Sequence, residues 1–254
     1  MKRSKILLAF FIVIIMLLVV GCQEQMIDGQ VVRGNYTWLR EGETLEEGGL
    51  RFSTDEINYL VISTRSNNVT IGTHNGNDIV IEYVPDAPGS GRYYHHIIRP
   101  RYVYANNHLE IFRDVNLATN TFIRSGTIKI TVPIYDGLMF EDISITTASG
   151  DIRFDNFNAN NIIISTSSGS IRLANLNANS ATVNTTINSI DVTNVDIEGN
   201  LVLQTTHENI DISYSRVRGI LSATTTFADI IITNVDTDID NADLNTSHGG
   251  IIIN

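Results

Sequence analysis

Proline is nearly missing from this chain, and its placement says more than its number. Four of the 254 residues are proline, and none follows Pro133. Proline donates no N–H, so a long proline-free stretch fits a region where nearly every amide is needed in a strand ladder. Cysteine is scarcer still. Cys22 stands alone, which rules out an internal disulfide. Positive charge is thin. Seventeen Lys and Arg face 28 Asp and Glu, a formal charge of −11. An acidic chain repels phosphate backbones, which excludes general nucleic-acid binding. There is no Lys after Lys129, and only Arg153, Arg172, Arg216 and Arg218 carry positive charge beyond it. No glycine-rich phosphate loop follows a strand and opens a helix.

What is present is a repeat. From Ile143 to Asn254 the pattern apolar, any, apolar, any, Thr, four residues, Ile, any, apolar occurs six times. The threonines are Thr147, Thr166, Thr185, Thr205, Thr225 and Thr246, in steps of 19, 19, 20, 20 and 21 residues. A fixed period of this length indicates a solenoid. Alternation of apolar residues makes its units strands. The prediction is an all-β, single-stranded β-solenoid, like a parallel β-helix, with rungs of about 19–21 residues. Stacking in register would place Ile145 under Ile164, Val183, Leu203, Ala223 and Leu244. It would likewise place Phe154 under Leu173, Val192, Ile212, Ile232 and Ile253.

Two polar positions recur as well. One is the threonine. The other holds Asn156, Asn175, Asn194 and Asn234, interrupted by Tyr214. Strand parity points both inward, at strand ends, where an amide could bond the amides above and below. Both are read as structural ladders rather than as catalytic groups.

The N-terminus has its own logic. Lys2, Arg3 and Lys5 precede an apolar run from Ile6 to Val20. That run is shorter than the roughly 20 residues a membrane helix needs, so it reads as a secretory signal. The sequence Val19-Val20-Gly21-Cys22 resembles the lipobox of bacterial lipoproteins. The resemblance implies removal of residues 1–21 and a diacylglyceryl group on the Cys22 sulfur. The competing assignment is an uncleaved single-span anchor. Cleavage removes three of 17 basic residues and no acidic one, so the mature charge becomes 14 − 28 = −14.

Residues 22–55 are polar, glycine-containing and locally acidic, and are expected to be a tether. From residue 56 the solenoid domain is expected to run to 254. Leu60 to Thr64 followed by Val69-Thr70-Ile71 already copies the later repeat. Residues 85–101 interrupt it with three prolines and two glycines. This loop holds Arg92, Tyr93, Tyr94, His95, His96, Arg99 and Arg101, the aromatic-basic cluster of an acidic protein. It is a candidate contact for an anionic polymer such as a glycan or teichoic acid, against the plainer reading of a solvated strand pair. His95 and His96 are adjacent, so on a strand they point apart and make a poor metal pair.

The order of parts resembles the bacterial "putative adhesin" domain of unknown function, a β-solenoid of secreted and membrane-anchored envelope proteins. The matching residues are Ile130-Thr131-Val132-Pro133, then Ile143 to Ile152, then Ser167-Ser168-Gly169-Ser170-Ile171. The likeness covers about residues 55–254 and brings no catalytic residues. Asn188-Ser189, Glu208-Asn209 and Ala228-Asp229 depart from its Ser-Gly step.

Signals for chemistry are weak. His207 and His248 share a repeat position with Phe227 between them, two rungs or roughly 10 Å apart, too far for one zinc ion. Asp236-Thr237-Asp238-Ile239-Asp240 starts like a calcium loop, but the sixth and twelfth positions are Asn241 and Ser247, not Gly and Glu. Asp191 and Asp211 stack in register, the nearest approach to a carboxylate pair. No catalytic residue, cofactor or metal site is assigned. The outward positions, such as Ser144, Ser165, Asn184 and Gln204, form a hydroxyl and amide face able to contact extended polymers. The last rung, Ile251-Ile252-Ile253-Asn254, is expected to present an open edge able to self-associate by strand addition. The expectation is a non-catalytic envelope lipoprotein, held at a bacterial membrane through Cys22. It would act as a surface adhesion or interaction module contacting an envelope protein or glycan. The alternative is a scaffold or stress-signalling component that binds the cell's own wall or membrane proteins.

Overall fold

The computed structural model describes residues 25–27, 30–32, 36–38, 40–46, 49–86, 96–113, 115–117, 123–134, 139–237 and 241–254. Two compact units emerge. Among the described residues, the smaller holds 25–27, 30–32, 36–38, 96–98, 115–117 and 123–124. Within it Gln25–Ile27 pairs antiparallel with Gln30–Val32, Tyr36–Trp38 antiparallel with Val115–Leu117, and His96–Ile97 parallel with Ile123–Arg124.

The larger unit is a β-solenoid. Each rung begins with a strand that ends at the repeated threonine, turns through four residues, and continues with a strand opened by the repeated isoleucine. The pairing is parallel and in the register the period demands. Thr64 lies beside Thr147, Thr147 beside Thr166, and Thr225 beside Thr246. Ile152, Ile171, Ile190, Ile210, Ile230 and Ile251 form one continuous row. The column of Ile145, Ile164, Val183, Leu203 and Ala223 is buried throughout, as is that of Phe154, Leu173, Val192, Ile212 and Ile232. One rung cannot shield its apolar face, but the stack makes these columns a single core.

The sequence reading gives two strands per rung, and the structure adds a third. After the asparagine position the chain bends and forms a short strand, as in Val195 to Ile197, Arg216–Val217 and Asp236–Thr237. These segments pair in parallel and give the rung a third side.

The solenoid does not start abruptly. Its first parallel rung, Tyr59–Thr64 and Asn68–His74, is flanked on the side away from the repeats by His108–Phe112 and Gly126–Pro133. Antiparallel strands follow. Arg101–Ala105 pairs with His108–Phe112 through a tight turn at Asn106 and Asn107, both with positive φ (54° and 61°). Two such residues suit a right-twisted hairpin. Glu43–Thr44 adds to one row and Leu50–Phe52 to the other. The expected tether 22–55 is therefore corrected: its later part is an edge of the folded domain, anchored by fully buried Leu45. An edge strand needs only one apolar face, which is why its polar composition misleads.

The threonine turn carries the stacking. Each hydroxyl donates to the turn carbonyl of the preceding rung: Thr166 to Gly150 (3.4 Å), Thr185 to Gly169 (2.9 Å), Thr205 to Asn188 (2.9 Å), Thr225 to Glu208 (3.3 Å) and Thr246 to Ala228 (3.0 Å). In the glycine turns the hydroxyl also accepts a backbone N–H, from Gly150, Gly169 and Gly249. The ladder is thus made with backbone groups, and Thr147 to Thr225 are buried. Turns approach so closely that a Cβ on Gly169 would lie 1.8 Å from the Gly150 carbonyl oxygen. Gly169→Ala should cost about 2–3 kcal/mol through forced separation of the turns. Thr185→Val, isosteric but without a donor, should cost about 1–2 kcal/mol by stranding that carbonyl. Urea denaturation of each variant checks this, and a neutral Thr185→Val would contradict the role given to the hydroxyl.

Candidate functional site

The second corner of the rung differs from the threonine turn. Asn156, Asn175, Asn194 and Asn234 all have left-handed backbones, with φ of 65°, 52°, 54° and 51°. Asparagine enters this region readily because its short amide bonds locally, whereas other L-residues pay about 1–2 kcal/mol. The four side chains are exposed, not inward. The parity expectation is corrected here: a left-handed residue bends the chain, so its side chain leaves the alternation of the strand before it. The amides still form part of a ladder. Asn194 Nδ2 donates to Asn175 Oδ1 at 2.7 Å, and Asn175 Nδ2 donates to Asp155 at 2.8 Å. Asn156 Nδ2 donates to the Thr73 hydroxyl at 3.2 Å.

Tyr214 occupies the same corner with φ 50°. Its side chain is 63% exposed. The corner opens into a groove of about 640 Å³, whose walls include Asn175, Asn194, Asp196, Tyr214, Arg216 and Asn234. Further concavities that share Asn156 and Asn175 continue it toward Thr73 and Pro133. One wall is charged. Arg216 forms a two-pronged pair with Asp196, one prong at 3.1 Å, and Arg218 bridges Asp196 and Glu198. The hydrogen bond from Arg216 holds the Asp196 carboxyl below the usual carboxylate range. The arrangement can offer amide donors and acceptors, a paired carboxylate and one aromatic ring to an extended ligand.

The loop signalled by the sequence fares differently. Arg92, Tyr93, Tyr94 and His95 lie outside the described residues, and His96 sits in a short strand. Arg99 is corrected as a contact residue. It is 7% exposed and paired with Glu46 at 3.2 Å, so it is spent on structure. Arg101 opens a strand paired on both sides, with Phe112 and Thr44 as its neighbours, and is half-buried. Cys22 and the signal segment also lie outside the described residues. Among the described residues no helix is long and apolar enough to cross a membrane.

His207 and His248 are held apart by Phe227 in an exposed ring stack, with centroids 5.3 and 5.1 Å apart. Among the described residues no group of three or more His, Cys, Asp or Glu side chains is placed to hold a metal ion. Of the calcium-like stretch, Asp236–Thr237 forms a strand beside Arg216–Val217, and residues 238–240 lie outside the described residues.

Asp191 and Asp211 are register neighbours on an outward strand row. Burial pushes the Asp211 pKa up, and the charges of Asp191 and Asp229 add to the rise. A carboxyl with a raised folded pKa favours folding below its unfolded value, and that contribution is lost as pH rises through the folded value. Asp211→Asn should therefore raise the melting temperature at pH 7. The gain should fade as pH falls below about 4, the unfolded carboxyl value. Thermal melts of both proteins at the two pH values check the sign.

No curated protein matches this chain. A solved structure named a putative adhesin, from Bacteroides fragilis NCTC 9343, is similar at 12% identity over 81% of this chain and 95% of its own, with a TM-score of 0.43. Another, named a putative cell adhesion protein, from Clostridium sporogenes ATCC 15579, is similar at 9% identity over 81% of this chain and 98% of its own, with a TM-score of 0.34. Residues 57–254, the solenoid from its first rung to the last residue, match the model of the Toastrack DUF4097 family, and the chain belongs to that family.

Proposed function

We propose that this chain is a non-catalytic, extracytoplasmic lipoprotein whose β-solenoid works by binding, as an adhesion or interaction module on the cell surface. The observation that carries this reading is the asparagine corner. A rigid stack repeats the same polar groups at a fixed rise, along a groove open to solvent. Such a surface suits many weak, repeated contacts with an extended partner better than it suits enclosing one reacting molecule. The N-terminal basic segment, the short apolar run and the Cys22 motif support export and lipid anchoring. The excess of acidic residues keeps the domain soluble beside an anionic envelope.

Protease treatment of intact cells tests the placement. The solenoid should be lost from intact cells on a blot. Protection that disappears only when the envelope is opened would overturn the surface assignment and favour the scaffold or signalling alternative. Cys22→Ser should abolish incorporation of labelled palmitate and release the protein from the membrane fraction; undiminished labelling would remove the anchor.

A further inference from the structure

We propose that the asparagine corner is a glycan-binding groove in which Tyr214 is the stacking platform and the neighbouring carboxamides are the hydrogen-bonding rail. The inference rests on the binding reading above and names its ligand class.

Tyr214 carries the argument. The corner requires a left-handed backbone, and four other rungs meet that requirement with asparagine. A tyrosine there stores strain that asparagine would avoid. Packing does little to repay it, because the residue is 63% exposed. Among the described residues no hydrogen bond, ion pair or ring contact engages this side chain. The residue thus makes no polar or ring contact that would offset its backbone. What it does give is a bare aromatic surface inside a groove.

The neighbours fit the same use. Amide bonding runs from Asn194 to Asn175 to Asp155 and stops at Tyr214, which has no carboxamide to continue it. The Asn194 oxygen and the Asn234 carboxamide, in the rungs on either side, are left facing solvent without a protein partner among the described residues. A carboxamide both donates and accepts, so it can bond a sugar hydroxyl or an acetamido group. The aromatic face suits the apolar face of a pyranose ring. Charge narrows the class further. Around Tyr214 the charged lining is Asp196, already paired with Arg216, and Asp236, so the groove there is net negative and a polyanion is disfavoured. Corners repeat at about 4.8 Å, and a linear β-linked hexose chain repeats on a comparable scale. The ligand is therefore an uncharged linear glycan bearing equatorial hydroxyl or acetamido groups, laid along the solenoid axis.

The test is calorimetric titration of the full chain in detergent with chitohexaose, cellohexaose and heparin, for wild type, Tyr214→Asn and Tyr214→Phe. Wild type should bind a neutral hexaose and not heparin. Tyr214→Asn should weaken that binding about tenfold, the size of a lost ring contact. It should also raise the melting temperature by about 3 °C as the strain is released. Tyr214→Phe should keep the affinity, since stacking needs the ring and not the hydroxyl. Three results would overturn the proposal: no binding of either neutral hexaose, undiminished binding by Tyr214→Asn, or a lower melting temperature for that variant. The two readings fail separately. Surface exposure without glycan binding would leave adhesion standing and remove this groove. Glycan binding by a periplasmic protein would keep the groove and remove surface adhesion.

Discussion

The structure depends on how closely one turn must pass over the next. In a single-stranded solenoid the rungs are fixed by strand spacing, so the turns stack at the same small rise. At the threonine turn this brings a carbonyl oxygen against the rung above. A buried carbonyl without a donor costs more than a hydrogen bond usually returns. The threonine hydroxyl removes that cost, reaching from each rung to the turn of the rung before. Glycine permits the tightest form, and where Asn188, Glu208 and Ala228 replace it the hydroxyl bond persists. The threonine is therefore the constant element and the glycine an accessory to it. The ladder begins at Thr64, whose own hydroxyl is buried without a bonded partner among the described residues.

The two polar ladders, alike in sequence, are physically opposite. Threonine is buried and bonds backbone; its hydroxyl is consumed by the fold. Asparagine is exposed and is used first for its backbone, which must be left-handed for the chain to bend into the third strand. Its side chain is only partly consumed, by neighbouring rungs. A ladder spent internally can be read as structure alone. A ladder that turns a corner leaves amides in solvent, where the fold does not use them.

This difference marks the limit of what the sequence discloses. The period reports register faithfully, because a slip of one residue would expose every core side chain of a strand. Hence Ile145 and Phe154 stand in the columns expected of them. Parity reports nothing about a corner, since alternation holds only while the chain stays extended. Parity therefore points the asparagines inward, and a two-residue segment such as Arg216–Val217 is too short for periodicity to mark it as a third strand. Long-range polar pairs are hidden for another reason. Arg99 and Glu46 lie 53 residues apart, and neither carries a local signal that the other will neutralise it. Strands at the domain's edge, Glu43–Thr44 and Leu50–Phe52, look like linker because they have one half-buried face and no second row to match.

Position within the rung also decides which sequence departures mean something. Two residues after each threonine stand Ser149, Ser168, Ile187, His207, Phe227 and His248. None of these has a positive φ, and the position points to solvent or to its stacked neighbours. Almost any side chain satisfies it, so the His-Phe-His stack is weak evidence for a role. The corner is different. Its backbone restricts the choice to glycine, asparagine and few others, and a bulky aromatic there works against the local energy. Variation where physics is permissive carries little information. Variation where physics is restrictive must be held in place by something else, and at Tyr214 the packing around the residue is not what holds it.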